Sequence, residues 1–421
     1  AVLLAHATAD LRPDDRALCY ELTLGTLRRQ LWLDKLIEHC SGRNAAQVDP
    51  PVRRALRLGL YQLRFLSRIP ASAAVNESVN LAHGARLGAG ASKFVNAILR
   101  RATREPDFDP ATLAGDEMER VSIETSHPRW LIERWTEQLG MTETVAFARA
   151  NNQPPPVAFR VNSRKAGSSE ALARLLAAGV ELVPSTIALD AWRVVSGTGG
   201  AALRALSDEG LIYTQDEASQ LVGHVLGVAA GERVLDVCAA PGSKATHVAE
   251  LAAESALVVA GDFYGHRLRV VQESGARQEL GNIRMIAYDA EAALPFAGES
   301  FDRVLVDAPC TGTGTLRHNP EIRWRLRPAD VADLSRRQRR ILALAAPLVR
   351  RGGRLVYSTC SVEREENEAV IAALLAENSD FKPEPPDAPD GLLINDGTAA
   401  RTWPHRDGAD GFFIAALRRT D

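Results

Sequence analysis

Apolar residues along this chain change their spacing twice. Up to about residue 105 they recur every three or four positions, as in RALCYELTLGTLRRQLWLDKLIEHC and VRRALRLGLYQLRFL, the period of a helix with one buried face. Pro13, Pro50, Pro51 and Pro70 punctuate these runs. SVNLAHGARLG and SKFVNAILRRATRE add further helical patterns, so a bundle of about five to seven helices is expected. The stretch REPDFDPATLAGDE, 104–117, reads as a linker. Residues 121–200 are mixed. SHPRWLIERWTEQLG is helical from near Pro128, VAFRV alternates like a strand, SEALARLLAAGV is helical and ELVPSTIALDAWRVV is strand-like again. From about 205 onward, wholly apolar runs (RVLDVC, ALVVAGD, IRMIAYD, RVLVDAPC, RLVYSTC, GFFIAALRR) alternate with helical patterns. Strands apolar on both faces and separated by helices predict a mostly parallel, doubly covered sheet. The expected organisation is an all-α domain over 1–120, a small α+β subdomain over 121–204 and an α/β Rossmann-like domain over 205–421.

In such sheets ligands bind beyond the carboxyl ends of the strands. Those ends carry Asp236 with CAAPGSK (238–244), Asp262, Asp289, Asp307 with Cys310, and Cys360. One such acid would pass as a turn residue or a helix cap; the series is poorly explained that way. In CAAPGSK, Ala239, Ala240 and Gly242 let a ligand approach the backbone, and the following helix start favours an anionic group. The loop is neither GxGxxG nor GxxxxGK[ST], which disfavours a nicotinamide dinucleotide or a P-loop nucleotide. Asp262 is placed to accept ribose hydroxyls and Asp289 an adenine amino group, so S-adenosylmethionine is the cofactor expected.

Composition is that of a soluble globular protein. Hydrophobic residues make up 46% and charged residues 24% of the 421, and the mean hydropathy is -0.13. No apolar run reaches membrane-spanning length, and AVLLAHATADLRPDDR lacks a basic leader, so a cytoplasmic protein is expected. The five cysteines, Cys19, Cys40, Cys238, Cys310 and Cys360, show no CxxC spacing, which argues for free thiols. Nine scattered histidines give no reason to expect a metal. The net charge of -3 hides an asymmetry: residues 1–105 carry 16 Lys or Arg against 9 Asp or Glu, a net of +7, leaving -10 for the rest. A basic module beside an acidic one suggests a polyanionic partner. Residues 317–340 hold eight arginines, and Arg317, Arg323 and Arg325 surround Trp324. Arginine binds phosphate and indole stacks on unpaired bases, so this segment is an expected RNA contact.

Three stretches, VLDVCAAPGSKATHVAEL, VLVDAPCTGTGTLRHNPEIRW and YSTCSVEREENEAVI, resemble successive motifs of the RNA cytosine-5 methyltransferases. The N-terminal part, with YQL, IPASAAVNESVNLA and KFVNAILRR, resembles the NusB RNA-binding domain. In this order, with SHPRWLIERW and NNQPPPVAFRVN between them, they resemble the bacterial ribosomal small-subunit methyltransferase B family, also called Sun or Fmu. The resemblance spans nearly the whole chain. It implies that Cys238, Ala239, Ala240, Pro241, Gly242, Ser243, Lys244, Asp262, Asp289 and Asp307 hold S-adenosylmethionine, and that the partner is small-subunit ribosomal RNA, bound by a monomer. The family usually reads PGGKTTH where this chain has PGSKATH; Ser243 is expected to cap the helix.

Cytosine-5 methylation needs a thiolate to attack carbon 6, an acid near ring nitrogen 3 and a base for the carbon 5 proton. The residues alone leave Cys310 and Cys360 open as nucleophile. The resemblance selects Cys360, with Asp307 stabilising the activated base and Cys310 assisting release. Transfer RNA or large-subunit RNA as substrate, or a non-enzymatic RNA-binding role, are the alternatives.

Overall fold

The alternating pattern beyond residue 205 folds, in a computed structural model describing residues 2–84, 89–165, 168–197, 199–252 and 255–420, around a sheet whose centre is parallel. Two smaller strand groups precede and follow that centre. Thirteen strands occur among the described residues: β1 Val157–Val161, β2 Val180–Pro184, β3 Ala191–Gly197, β4 Ile212–Thr214, β5 Arg233–Asp236, β6 Leu257–Asp262, β7 Ile283–Ala287, β8 Phe301–Asp307, β9 Val349–Thr359, β10 Phe381–Glu384, β11 Leu393–Ile394, β12 Ala399–Arg401 and β13 Phe413–Arg419.

The large sheet runs in the order β11-β12-β13-β9-β8-β5-β6-β7, with β10 also on β13. Strands β9, β8, β5, β6 and β7 pair in parallel, and β13 joins β9 antiparallel. The chain starts at β5 in the middle, moves out through β6 and β7, then returns to β8 on the other side. The order therefore switches between β5 and β8, where a crevice opens at the strand ends. Successive residues explain why these strands are apolar throughout. Val234, Val258, Leu305 and Val356 pack on one face with Val248 and Val271; Leu235, Val304, Val306, Leu355 and Tyr357 pack on the other with Ile341, Leu342 and Leu374. The C-terminal strands are antiparallel because short turns, not crossover helices, connect β11 to β12.

Strands β1 to β4 form a separate antiparallel sheet, ordered β2-β3-β1-β4, in the same compact unit. Arg160 of β1 is buried where this sheet meets the large-sheet fold. It donates to Thr246 Oγ1 at 3.0 Å and Gln278 Oε1 at 2.9 Å, and ion-pairs with Glu250.

The other compact unit comprises residues 1–154 together with 316–325. Its helices within the first 105 residues are Val2–Ala7, Pro13–Arg28, Gln30–Ser41, Pro50–Phe65, Ala71–Gly84 and Ala89–Arg104. They bury Leu33, Leu36, Leu56, Leu60, Val95 and Leu99 in one core. Gly25 permits this packing: a Cβ there would lie 2.1 Å from the Tyr61 ring. The 104–117 stretch is docked rather than a free linker, since Trp32 Nε1 donates to Asp109 Oδ1 at 2.9 Å and Pro110 and Ala111 are buried. Helices Glu117–Thr125, Arg129–Leu139 and Met141–Ala150 belong to this unit. Compactness thus divides the chain near 154, whereas the change in residue spacing placed boundaries at 120 and 204.

Candidate active site

Strand β5 ends at Asp236, and the chain turns through 238–242 into the helix Ser243–Leu251. Gly242 takes φ 111°, which L side chains rarely adopt, and a Cβ there would lie 3.1 Å from Val271 Cα. The turn is anchored to the end of β6: Ala239 N donates to Gly261 O at 2.7 Å, Ala240 N to Asp262 Oδ2 at 3.3 Å, and the Arg267 guanidinium to Ala240 O at 2.8 Å. Asp262 also accepts from Tyr264 N at 3.1 Å and pairs with Arg267 at 3.2 Å. Asp289, after β7, is exposed and accepts from Glu291 N at 2.9 Å. Ser243 is the first helical residue and no side chain caps this helix, so the expected Ser243 cap is not formed.

Beyond these strand ends lies a cavity of about 550 Å³, lined among others by Cys238, Ala240, Asp262, Asp289, Asp307, Cys310 and Cys360. It brings Cys238, Ala240, Asp262, Asp289 and Asp307 of the expected cofactor set together with the two candidate thiols; Ala239, Pro241, Gly242, Ser243 and Lys244 are not on its lining. Exposed Phe263 and Tyr264 line it, as does Arg337, which pairs with Glu291 at 2.7 Å. Beneath the loop, Asp236 is buried and neither carboxylate oxygen has a hydrogen-bond partner. Burial and the neighbouring Asp307 push its pKa up to about 8, against the pull of Lys244. The Cys238 thiol is pushed up by the same burial and the same acids. A cavity of this size, with a loop of small residues past β5, an acid at the end of β6 and another past β7, fits S-adenosylmethionine.

Asp307 closes β8. Its Oδ1 accepts from Ser358 Oγ at 2.7 Å and its Oδ2 pairs with Lys244 Nζ at 2.8 Å. Lys244 is nearly buried and stands 4.9 Å from the centre of the Phe412 ring. Burial alone would favour its neutral form. Asp307, with Cys360 and Asp236 nearby, outweighs that and holds its pKa above the usual lysine value. Cys310 follows β8 and Cys360 follows β9; their sulfurs lie 3.4 Å apart. The hydrogen bond to Cys360, burial, and the charges of Cys360, Glu366 and Asp307 push the Cys310 thiol up. Either sulfur can donate in this contact, so the geometry leaves both thiols facing the same space. Cys40, by contrast, is a buried thiol in the helical unit, raised chiefly by burial.

The Arg–Trp segment is placed differently from its expectation. Arg317 and Arg323 are buried. Arg323 donates to Ser126 O at 3.2 Å, Asn151 O at 3.1 Å and Asn152 Oδ1 at 2.8 Å; Ser126 and Asn151 are the C-caps of two helices. Trp324 Nε1 donates to Leu27 O at 2.8 Å, and Arg317 O accepts from Arg28 at 2.8 Å. Of the four residues assigned to RNA, Arg325 alone is exposed. Helix C-termini attract cations for the same electrostatic reason that phosphates do, and residue type does not separate the two uses. Asp236 is the main site residue left out of the expected cofactor set. Glu366 stands outside the expected set as well, although the acid-rich run EREENE just after Cys360 marks it.

Residues 224–418 match the family described as 16S rRNA methyltransferase RsmB/F, residues 2–104 the NusB family, and residues 127–199 a ferredoxin-like domain of the RsmF/B-like methyltransferases. A probable ribosomal RNA small subunit methyltransferase B of Bacillus subtilis is 38% identical over 418 residues, covering 97% of this chain and 92% of its own. Ribosomal RNA small subunit methyltransferase B of Pseudomonas syringae is 36% identical, covering 96% and 89%. A crystallised methyltransferase homologue from Pyrococcus horikoshii is 28% identical with a TM-score of 0.64, covering 73% of this chain and 100% of its own. Matched over almost its entire length in both sequence and domain order, the chain belongs to the ribosomal RNA small subunit methyltransferase B family of 16S rRNA methyltransferases.

Proposed function

We propose that this methyltransferase acts on carbon 5 of a cytosine in small-subunit ribosomal RNA, through a covalent bond between Cys360 and carbon 6. The observation that carries the reading is the pair of sulfurs 3.4 Å apart, on the cavity that Cys238, Ala240, Asp262, Asp289 and Asp307 also line, with Asp307 paired to Lys244. A methyltransferase acting on a more nucleophilic atom would have no use for two such thiols.

The Cys360 thiolate forms a bond to carbon 6, and the ring electrons move toward nitrogen 3 and carbon 5. A proton passed to nitrogen 3 from the Lys244 ammonium through Asp307 neutralises the charge that gathers there, and returns the same way when carbon 5 takes the methyl group. S-adenosylmethionine, when bound, would supply the methyl group, the methyl–sulfonium bond breaking with its electron pair left on the cofactor's sulfur. Ala239, Ala240 and Gly242 would let it approach the backbone, and Asp262 and Asp289 would orient its ribose and base. Release needs the carbon 5 proton to leave. Its bonding electrons then reform the carbon 5–carbon 6 double bond, and the carbon 6–sulfur bond breaks with its electron pair going to Cys360. Cys310, whose sulfur lies 3.4 Å from that of Cys360, gives up its own proton to solvent and as a thiolate accepts the one from carbon 5. The helical unit, net +7 over residues 1–105 from 16 basic and 9 acidic side chains, adds a second grip on RNA phosphate.

The test is to incubate the protein with unmodified small-subunit ribosomal RNA and methyl-labelled cofactor, then digest the RNA to nucleosides. Label in 5-methylcytidine is expected. Label on a ring nitrogen, an exocyclic group or a ribose oxygen would exclude this mechanism.

A further inference from the structure

We propose that Glu366 is the positioning residue that locks the two cysteine loops to each other, so that both thiols meet the same cytosine. The inference rests on the roles given above to Cys360 and Cys310, and extends them to a residue that touches neither sulfur.

Strand pairing does not by itself fix the thiols. The β8–β9 ladder ends at Asp307 opposite Ser358, with Ala308 N donating to Ser358 O at 2.9 Å. Cys310 and Cys360 lie beyond it. Each thiol is followed by a hydroxyl residue, Thr311 and Ser361, and both hydroxyls turn to one buried carboxylate. Glu366 Oε1 accepts from Thr311 N at 2.9 Å and from Gln338 Nε2 at 2.9 Å. Its Oε2 accepts from Thr311 Oγ1 at 2.5 Å and from Ser361 Oγ. A carboxylate has about four acceptor positions, and here all four are filled. Gln338, from the helix Pro328–Ala345, also donates to Pro309 O at 2.9 Å, so that helix braces the same loop. Behind the carboxylate, the Glu366 carbonyl accepts from Tyr357 OH at 2.5 Å.

Glu366 is fully buried. Burying a carboxylate is costly, and apolar residues of similar volume usually serve stability as well or better. The loops also meet directly, since Thr311 Oγ1 and Ser361 Oγ lie 3.0 Å apart and Gly314 N donates to Cys360 O at 2.9 Å. What an apolar side chain could not do is hold that pair of hydroxyls, together with the Thr311 amide and Gln338, in one fixed geometry. The chemistry needs that geometry: Cys360 bonds carbon 6 while Cys310 must reach the proton on the adjacent carbon 5. A misplacement of about 1 Å costs on the order of 10²-fold in rate.

The test compares Glu366→Gln, Glu366→Leu, Thr311→Val and Ser361→Ala with wild type for kcat, for KM of RNA and cofactor, and for the steady-state fraction of RNA covalently bound. Gln keeps the bridge, because the Thr311 and Ser361 hydroxyls can rotate to accept. It should retain kcat within about tenfold, whereas Leu should lose about 10²-fold with both KM values within about threefold. The Leu variant should also carry more covalent RNA than wild type, since attack by Cys360 survives better than release. If Leu does not fold, Thr311→Val and Ser361→Ala decide: each should lower kcat several-fold and raise the bound fraction. Folded variants with wild-type kcat and wild-type bound fraction would overturn the positioning role. Absence of covalent RNA in wild type would instead overturn the Cys360 mechanism, and this inference with it.

Discussion

Replacing Asp236 by asparagine should remove a stability slope that the buried carboxyl imposes on the catalytic unit. In the folded chain its pKa is pushed up from 3.8 to about 8. Between those values the folded form keeps a proton that the unfolded chain has lost. Stability therefore falls as pH rises from about 4 to about 8, and is level with pH outside that window as far as this group is concerned. The slope is about 1.4 kcal/mol per pH unit. From pH 5 to pH 8 the wild type should lose on the order of 4 kcal/mol relative to Asp236→Asn, whose amide does not titrate. The chain forms two compact units, so a single unfolding midpoint would mix them. Hydrogen exchange of the β5 and β8 amides, read by mass spectrometry, reports the unit of interest. Comparing the proteins at the same pH cancels the intrinsic exchange rate. The ratio of wild-type to variant protection should shrink by about three decades from pH 5 to pH 8. A ratio constant within about threefold would show that Asp236 is ionised in the folded chain across this range, and would refute the assignment of a neutral, donor-seeking carboxyl beneath the cofactor loop.

The other predictions concern the same site and its supports. Asp307→Asn leaves Lys244 facing Asp236 without its 2.8 Å partner and should lower kcat by about 10²- to 10⁴-fold, measured as methyl transfer to RNA under saturating cofactor; a loss under tenfold would remove Asp307 from the chemistry. Cys310→Ala should still form covalent RNA but release it slowly, so that denaturing gels show a retarded band in the presence of cofactor. Arg160→Met leaves Glu250 buried and uncompensated and should destabilise the catalytic unit by about 3–5 kcal/mol, read by the same exchange measurement. It should also weaken cofactor binding, because Thr246, which Arg160 contacts, donates to Gly242 O at 2.7 Å in the cofactor loop.

The architecture was legible where burial imposes a period. The apolar runs that read as parallel strands are β5 to β9, because strands covered on both faces leave no polar alternation, and their ends carried the acids and thiols that meet at the cavity. Helix spacing likewise gave the bundle before residue 105. The compact units were not legible in the same way. Period is local, whereas the grouping of 316–325 with the helical unit depends on Arg323 reaching the C-caps of helices some 170 to 200 positions away in sequence. For the same reason Arg317, Arg323 and Trp324 were read as an RNA contact: composition records charge and ring area but not the direction in which a side chain points. Asp236 was seen as a strand-end acid, yet its lack of hydrogen-bond partners is a fact of three dimensions. The choice between the two thiols came from resemblance. The structure places both sulfurs on the cavity, 3.4 Å apart, which either assignment would require.

The central claim is that Cys360 bonds the target cytosine. Small-subunit ribosomal RNA carrying 5-fluorocytidine provides the direct test, because fluorine at carbon 5 cannot leave as a proton and the adduct persists. After reaction with cofactor, nuclease and protease digestion and mass spectrometry should locate the nucleotide on the peptide containing Cys360, and Cys360→Ala should give none. A nucleotide attached to Cys310, or an adduct that forms undiminished in Cys360→Ala, would contradict the account.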